Sequence, residues 1–378
     1  MLRDLKQYQA AFESYDRVIA LEPTYADVYY NRGNAFNDLR QHRAALDDYQ
    51  QALVIEPHHA DVHWNQSLCY LQMGEFALGW QEYEWRWKTE QFKNAKSYVP
   101  KPLWLGAEPL QGKTILLHSE QGLGDTLQFC RYAKQVSALG AHVILEVPQA
   151  LLKLLAHLEG VDTLLATGQA LPAFDYHCPL LSLPLAFKTD LQSIPADIPY
   201  IEALAEKSTY WRNKLGPRHK PRVGLVWNGG FRAHQSEVWA INKRRNIELS
   251  LIAKLNLSQV DFFSLQKGDP AESEVLRGQD ELWPENNFFN YADELKDFSD
   301  TAGLIANLDL VISVDTSTAH LAGAMGKPVW ILNRFDGCWR WLLDRNDSPW
   351  YPTAKLYRQD KVGDWVSVIE RVAADLLP

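Results

Sequence analysis

The chain has 378 residues, 46% of them hydrophobic and 22% charged, which predicts two or three globular domains with a substantial core and argues against disorder. Its net charge of −9 argues against nucleic acid as the main partner, because neutralising phosphates requires a basic surface. No apolar run approaches the roughly 18 to 20 residues of a membrane span, no secretion signal opens the chain, and the four cysteines show no Cys-x-x-Cys spacing, so we expect a soluble protein of the reducing cytoplasm.

A repeat with a spacing of 34 residues occupies the first part of the chain. Tyr15 recurs as Tyr49 and again as Tyr83, and small, aromatic and proline residues follow the same register. This pattern resembles the tetratricopeptide repeat, in which two antiparallel helices pack through small residues and a proline ends the second helix. The resemblance implies about two and a half repeats over residues 1–95, of which only the copy at residues 26–57 is complete.

The outer copies depart from the pattern. The chain begins inside the first repeat, which indicates a fragment of a longer protein or a helix that stacks on a further element. In the third copy, Arg86 and Gln91 stand where the small residue and the proline belong. Repeats of this kind stack on their neighbours and form concave surfaces. We therefore expect the module to hold a protein or peptide partner.

Proline and glycine mark a linker over residues 96–112, where the helical periodicity has ended. Three tryptophans lie in or near this linker, and we expect them to pack the repeat module against the next domain. They are Trp85, Trp87 and Trp104.

Beyond the linker, short apolar runs alternate with amphipathic segments, a pattern that predicts parallel sheets covered by helices. In a first domain, residues 113–215, the predicted strands are 114–118 and 142–147 and the predicted helices are 126–139 and 149–158. In a second domain, residues 216–378, strands are predicted at 222–227, 261–265, 310–314 and 329–332, and helices at 249–255, 300–307 and 318–325. We expect two doubly wound α/β domains in tandem, a topology that does not by itself define a function.

A basic stretch, residues 207–245, lies at the junction of these two domains, with ten Lys or Arg residues against the single acid Glu237. Its charge would suit a polyanion such as a diphosphate. As far as Arg222, a solvated basic linker is an equally good interpretation.

A buried strand that ends at Asp315 leads into a helix that begins among Thr316, Ser317 and Thr318, with His320 soon after. The N–H groups, the dipole and the hydroxyls of such a helix start form an anion site at the carboxyl end of a strand, and a phosphate fits it. Alternatively, Thr316 or Ser317 only caps the helix and His320 packs against the sheet.

This string, which ends with Gly326 and Pro328, resembles the nucleotide-sugar site of lipopolysaccharide heptosyltransferases and of the repeat-carrying bacterial glycosyltransferases related to O-GlcNAc transferase. The resemblance covers nearly all of residues 100–378. It implies helical tetratricopeptide repeats followed by two Rossmann-like doubly wound α/β domains, the GT-B fold, with the donor diphosphate held by the second domain.

Two further segments agree with this resemblance. Trp227 and Gly229 belong to a Gly-rich turn after a strand, where a missing Cβ allows a phosphate to approach the backbone. By similarity, a nearby basic residue pairs with the diphosphate, and Arg245 is favoured because it directly precedes a helical segment. Gln266 and Lys267 end another strand, which lies beside the nucleotide base in the resembled enzymes. A loop-capping amide is the alternative role for Gln266.

Aromatic residues in the last fifty positions suit stacking on a base or a sugar, although core packing explains at least half of them. They are Trp330, Trp339, Trp341, Trp350 and Tyr351.

The loop after the first predicted strand carries the candidate base. Gly122 and Gly124 bend the chain toward the cleft, and Asp125 lies at a helix start, where heptosyltransferases have an Asp that is the usual candidate base. Inverting sugar transfer needs a base for the acceptor hydroxyl and stabilisation of the leaving diphosphate on the opposite face. Alternatively, Asp125 caps the helix, which would lower its pKa and make it a poor base. Glu120 and His118 would then be substitutes.

The chain has no Asp-x-Asp triplet, which predicts a reaction without a divalent metal or other cofactor. The resulting hypothesis is a metal-independent bacterial glycosyltransferase that takes a nucleotide sugar as donor. Its acceptor is a protein side chain held by the repeats, or a lipid or saccharide. A catalytically inactive interaction scaffold and a nucleotide-sugar epimerase are the alternatives. Intact Asp125 and Asp315 argue against the scaffold, and the repeats have no evident use in an epimerase.

Overall fold

The computed structural model describes residues 2–92, 101–230 and 243–376. These residues form two compact units. The first comprises Met1–Val99 with two later segments, Pro184–Ile194 and Cys338–Asp344, as far as they are described. The second comprises the described parts of Pro100–Leu183, Pro195–Gly337 and Arg345–Pro378. The sequence-based boundaries at residues 95, 112 and 215 stay a prediction, and residues 96–100 of the linker lie outside the described part.

The first unit is built from helices that pack as antiparallel pairs. They are α1 (Tyr8–Leu21), α2 (Ala26–Asp38), α3 (His42–Ile55), α4 (Ala60–Gln72) and α5 (Phe76–Tyr83). Helices α2 and α4 begin one repeat length apart, and so do α3 and α5. The predicted register of the repeats is therefore confirmed.

Small residues bring the paired helices together. A Cβ on Gly33 would lie 2.7 Å from the ring of Tyr49, and a Cβ on Gly79 would lie 2.6 Å from the side chain of Leu71. Tyr49 and Leu71 are themselves fully buried. Because protein interiors are close-packed, the large side chain opposite each glycine fills the space that a Cβ would occupy.

The third repeat ends early, as its irregular sequence predicts. Helix α5 stops at Tyr83 and continues as the 3-10 turn Glu84–Lys88. Arg86 occupies the position where the previous copy has buried Ala52, and it is buried as well. Its guanidinium donates to the carbonyl of Tyr83 at 3.0 Å and pairs with Glu84 at 2.7 Å. A buried cation needs such partners, and the tighter turn supplies them.

The two later segments of the first unit cover this last repeat. The indole nitrogen of Trp80 donates to the carbonyl of Thr189 at 2.9 Å, and the ring of Trp339 meets that of Trp80 edge-on at 5.3 Å. Sequence reasoning assigned Thr189 and Trp339 to the α/β domains. It could not anticipate that both return to the repeats.

The linker tryptophans lie in different units. Trp85 stacks on His63 in the first unit, with ring centroids 3.8 Å apart. Trp104 is buried in the second unit and donates to the carbonyl of Glu108 at 2.9 Å. Their proposed role in joining the repeats to the next domain stays a prediction.

The first sheet of the second unit has four parallel strands in the order β3-β2-β1-β4. The strands are β1 (Thr114–His118), β2 (His142–Val147), β3 (Thr163–Ala166) and β4 (Tyr176–Pro179). Residue Ile115 of β1 pairs with Val143 on one side and Tyr176 on the other. The two predicted strands, β1 and β2, are the two inner strands.

The second sheet has six parallel strands in the order β10-β9-β8-β5-β6-β7. The strands are β5 (Arg222–Val226), β6 (Asp261–Ser264), β7 (Phe288–Asn290), β8 (Leu310–Val314), β9 (Val329–Asn333) and β10 (Ala354–Arg358). Counted along the chain from β5 and read from the β7 edge, this is the Rossmann order 3-2-1-4-5-6. The predicted fold class, helical repeats followed by two Rossmann-like parallel-sheet domains, is therefore confirmed.

Helices connect these parallel strands. They are α6 (Leu123–Phe129), α7 (Ala133–Ala138), α8 (Leu183–Ala186), α9 (Ala205–Leu215), α10 (Leu249–Ile252), α11 (Ala271–Leu282), α12 (Phe298–Ala306), α13 (Ser317–Ala324) and α14 (Trp365–Leu376). The prediction of a helix at residues 149–158 is wrong. Only Gln149–Leu151 forms a short 3-10 helix, and the turns that follow it bury Leu154 and Leu155. None of the described helices is both long and apolar enough to cross a membrane.

The basic stretch before Arg222 is not a solvated linker. It forms helix α9, in which Lys207 pairs with Asp300 at 2.6 Å and Lys214 pairs with Glu294. Beyond the helix, Arg218 pairs with Asp309 at 2.6 Å. These cations are matched by acids of the second domain, so this part of the stretch is not arranged to hold a diphosphate.

Candidate active site

The candidate site lies at the carboxyl ends of β5 and β8, the neighbouring strands at which the order of the second sheet reverses. Ligands of such sheets bind in the crevice outside this switch point. The chain leaves β5 through Trp227–Gly230 and leaves β8 through Asp315 and Thr316. The two motifs that the sequence singled out are therefore neighbours in space.

The start of α13 carries its expected hydroxyl residues, but Thr316 does not cap the helix with its side chain. Thr316 is the N-cap residue and has an extended backbone, with φ −139° and ψ 170°. Its hydroxyl lies 3.0 Å from that of Ser313 instead of accepting from a helix N–H. The carbonyl of Thr316 accepts from the amides of Ala319 and His320, and the earlier amides belong to the turn that lacks partners within a helix. The capping alternative for Thr316 is not what the structure shows.

Arg245 connects the two loops. Its Nη1 donates to the carbonyl of Asp315 at 2.7 Å, and its guanidinium lies over Gly229. A Cβ on Gly229 would lie 2.0 Å from Nη2 of Arg245, so the missing side chain admits this cation. The amide of Gly229 donates to Asn246 Oδ1 at 2.9 Å. The predicted residues Gly229, Arg245 and Asp315 therefore meet, with a fixed positive charge beside the helix start.

His320 is buried behind the helix start, with both ring nitrogens near polar groups. Nδ1 lies 2.9 Å from the hydroxyl of Tyr351, and Nε2 lies 3.9 Å from a carboxylate oxygen of Asp315. The imidazole ring therefore lies between the buried hydroxyl of Tyr351 and the carboxylate of Asp315. Tyr351 was grouped only among the C-terminal aromatic residues in the sequence, and its place beside His320 could not be read from a spacing of 31 residues.

The first α/β domain contacts the start of α13 through Gly124. A Cβ on Gly124 would lie 2.8 Å from Cδ2 of His320 and 3.4 Å from the Cα of Ser317. The start of α6, which carries the candidate base, therefore packs against the start of α13. A residue with a side chain at this position would separate the two.

Asp125 holds the start of its own helix. One carboxylate oxygen accepts from the amide of Gly122 at 2.7 Å, and Gly122 is the N-cap residue of α6. Asp125 is half-buried. Since Gly122 is the N-cap, Asp125 is the third residue of the helix, and the N-cap role that the sequence left as an alternative is not what the structure shows. The role of Asp125 as a base stays a prediction.

The two substitute residues each make a contact within the first domain. Glu120 accepts from the amide of Leu181 at 3.2 Å. His118 is buried at the end of β1, with Nε2 3.3 Å from Nδ1 of His177. Burial lowers the pKa of His177, which favours the neutral form of that ring.

The other predicted donor residues support the loops. Gln266 is buried; its Oε1 accepts from the amides of Trp227 and Asn228, and its Nε2 donates to the carbonyl of Asn228 at 3.0 Å. These are the contacts of the loop-capping alternative, and a role in reading a base stays a prediction. Lys267 donates to the carbonyl of Ala292 at 2.7 Å. The Trp227 side chain belongs to the core and donates to Glu274 at 3.2 Å.

The C-terminal aromatic residues mostly serve packing. Trp339, Trp341, Trp350 and Tyr351 are buried, while Trp330 is half-buried and packs against Tyr357. The core alternative therefore describes four of the five. Residues 231–242 lie outside the described part of the chain.

No group of three or more His, Cys, Asp or Glu side chains that could hold a metal ion occurs among the described residues. The sequence-based expectation of a reaction without a metal stays a prediction.

Comparisons with known proteins give a family for the repeats. Residues 26–59 match the model for the tetratricopeptide repeat, and residues 1–39 match a further TPR repeat model. Protein FlbA of Caulobacter vibrioides is 27% identical over 332 residues, which cover 81% of this chain and 53% of FlbA. The chain thus spans about half the length of this curated relative.

Two solved structures are similar to a part of this chain. The glycosyl transferase family 9 structure from Veillonella parvula has 11% identity and a TM-score of 0.49, covering 71% of this chain and 98% of its own. The ADP-heptose lps heptosyltransferase II of E. coli has 13% identity and a TM-score of 0.49, covering 70% and 97%. The first unit of this chain thus carries tetratricopeptide repeats, and its second unit carries two Rossmann-like parallel-sheet domains.

Proposed function

We propose that the chain is a glycosyltransferase that moves a sugar from a nucleotide-sugar donor to an acceptor hydroxyl. The observation that carries the proposal is the contact of Gly124, at the start of α6, with His320 and Ser317 at the start of α13. Transfer requires a donor site and an acceptor-side base within reach of one anomeric carbon. The meeting of these two loops supports such a shared site.

In this proposal the donor diphosphate binds at the start of α13. There it accepts hydrogen bonds from the first amides of the helix, from the hydroxyls of Ser317 and Thr318, and from the Arg245 guanidinium. Charge-assisted hydrogen bonds to phosphate are roughly twice as strong as neutral ones. The positive end of the helix dipole adds to this stabilisation.

In the transfer step, the acceptor oxygen forms a bond to the anomeric carbon as the bond from that carbon to the diphosphate oxygen breaks. The acceptor proton passes to Asp125, and the nucleoside diphosphate leaves with the bonding electron pair. The configuration at the anomeric carbon inverts. The contact with the Gly122 amide holds the Asp125 carboxylate in one orientation, and no metal ion is required to balance this step.

The tetratricopeptide repeats support a protein or peptide as the acceptor. Such repeats form concave surfaces with room for an extended chain, and their models match residues 1–59 in two overlapping parts. A lipid or saccharide acceptor is the alternative that an acceptor screen would test.

Nucleotide binding is the first test. A thermal-shift panel of UDP, GDP, ADP and CMP should reveal one ligand that stabilises the protein by about 2.7 kcal/mol at 100 times its dissociation constant. Arg245→Ala should abolish this stabilisation. The matched control is Arg244→Ala, because Arg244 is the preceding cation but pairs with Asp336 at 2.9 Å.

Stabilisation of wild type and Arg244→Ala but not Arg245→Ala would fix the donor class. Peptide, lipid and saccharide acceptors would then be screened with the matching nucleotide sugar. If no nucleotide stabilises the wild type, the donor site fails and a repeat scaffold without activity becomes the better hypothesis.

A further inference from the structure

Tyr351 is fitted tightly behind His320. Its side chain is completely buried, and its hydroxyl lies 2.9 Å from Nδ1 of His320. A Cβ on Gly323 would lie 2.6 Å from the Tyr351 ring, so the helix that carries His320 leaves this ring little room to move. The contact between the hydroxyl and the imidazole is therefore held by packing on both sides.

A buried cation fixes the segment that carries Tyr351. Arg131, which follows α6, donates to the carbonyl of Trp350 at 2.8 Å, to that of Pro195 at 3.0 Å and to the hydroxyl of Tyr200 at 2.7 Å. Its guanidinium carbon lies 4.8 Å from the centre of the Tyr351 ring. None of its hydrogen-bond partners in the described residues is a carboxylate.

The proton positions follow from these partners. A neutral imidazole carries its proton on one nitrogen and accepts at the other. A carboxylate oxygen of Asp315 lies 3.9 Å from Nε2, and an oxygen acceptor there favours a proton on Nε2. Nδ1 is then the acceptor, and the hydroxyl of Tyr351 is the donor that it faces.

We propose that Tyr351, fixed by Arg131, is a positioning residue that holds His320 in the tautomer with its proton on Nε2. This inference rests on the proposed function, because that tautomer offers a diphosphate oxygen a hydrogen-bond donor. The opposite tautomer would present a lone pair to the same oxygen and repel it. Tyr351 thus determines whether Nε2 of His320 donates a hydrogen bond to the diphosphate of the nucleotide sugar.

The tautomer can be measured directly in the ligand-free protein. Spectra that correlate the nitrogens and carbon-bound protons of 15N-labelled histidine distinguish the two neutral tautomers and the charged ring, and His320→Ala assigns the signal. Wild type should show a protonated Nε2 and an accepting Nδ1. In Tyr351→Phe the Nδ1 signal should move and the second tautomer should appear.

The matched control is Tyr357→Phe, which removes a hydroxyl that bonds Asp375 at 2.7 Å from a buried ring of the same domain. Its His320 spectrum should equal that of wild type. A wild-type His320 with its proton on Nδ1, or a Tyr351→Phe spectrum identical to wild type, would overturn the inference.

Binding separates this inference from the proposed function. The affinity for the nucleoside diphosphate found by thermal shift should fall about three- to tenfold in Tyr351→Phe, as expected for one lost hydrogen bond, and stay unchanged in Tyr357→Phe. A wild type that shows the expected tautomer but binds no nucleoside diphosphate would refute the proposed function while supporting the role of Tyr351. An unchanged affinity in Tyr351→Phe, in a protein that binds, would overturn that role.

Discussion

Replacing Gly124 with alanine tests the contact between the two α/β domains. The new Cβ would lie 2.8 Å from Cδ2 of His320, closer than carbon atoms approach without a shift. His320 cannot easily yield, because its ring is buried and bonded to Tyr351. The substitution should therefore displace the imidazole or push α6 away from α13.

Two effects oppose each other in the stability of this variant. Overpacking costs about 1 to 3 kcal/mol, whereas alanine is favoured over glycine inside a helix by about 1 kcal/mol, and Gly124 lies in the first turn of α6. We expect the free energy of unfolding to fall by at most about 2 kcal/mol. The affinity for the nucleotide should fall further, because displacing His320 removes its hydrogen bond to the diphosphate. A hydrogen bond to a charged group contributes about 1.5 to 3 kcal/mol, so its loss lowers the affinity about tenfold or more.

Titration calorimetry with the nucleoside diphosphate and denaturant unfolding together measure these two effects. Gly278→Ala is the control, since a Cβ at Gly278 in α11 meets only Leu282, at an ordinary 3.5 Å. That variant should be as stable as wild type or more stable and should bind normally. If Gly124→Ala also bound normally and gained stability, the α6 start would not touch His320 in solution.

Three further predictions concern the repeats, a helix cap and the base. Gly79→Ala should lower the free energy of unfolding by about 1 to 2 kcal/mol, because its Cβ would lie 2.6 Å from buried Leu71; an unchanged denaturation midpoint would contradict this packing. Asp297→Ala should cost about 1 kcal/mol, since the carboxylate accepts from the amide of Ser299 at 2.9 Å at the start of α12. Burial raises the pKa of Asp297, but its hydrogen bonds and ion pair outweigh burial and leave that pKa below the usual 3.8. The stability that Asp297 contributes is present above the ordinary pKa and is lost as pH falls through the lowered pKa of the folded state. The free energies of unfolding of wild type and variant should therefore converge below about pH 4. A difference that stays constant with pH would contradict the cap. Asp125→Asn should slow sugar transfer about 100-fold or more with nucleotide affinity unchanged; normal turnover would exclude Asp125 as the base.

The strands that sequence patterns predicted are the inner strands of both sheets. β1, β2 and β8 have the predicted bounds, because a central parallel strand is buried on both faces and forms a continuous apolar run. All four strands that the sequence did not indicate, β3, β4, β7 and β10, are edge strands. They are short and partly exposed, so the apolar run that would mark them is broken.

The sequence predicted those site residues that are consecutive in the chain, but not those that the packing of distant segments brings to the site. Asp315 and His320 were found because a strand, a hydroxyl-rich helix start and a histidine are consecutive. Nothing local indicated that Arg131 and Tyr351 would stand behind them. The direction of the Gln266 amide, toward the turn after β5, likewise depends on a partner 38 residues away.

The return of Pro184–Ile194 and Cys338–Asp344 to the repeats changes how this protein can be divided. The polypeptide passes between the two units five times, so no single cut between residues 95 and 113 separates them. Deleting the helical repeats would strip the partners from Trp339, whose ring now lies against Trp80 and Tyr83. A chain that lacks residues 1–95 would expose the aromatic ring of Trp339, and a fragment of residues 1–95 would lack the two later segments that complete the first unit. Domain-exchange experiments on this chain should therefore graft surface residues of the helices and leave the helices themselves in place.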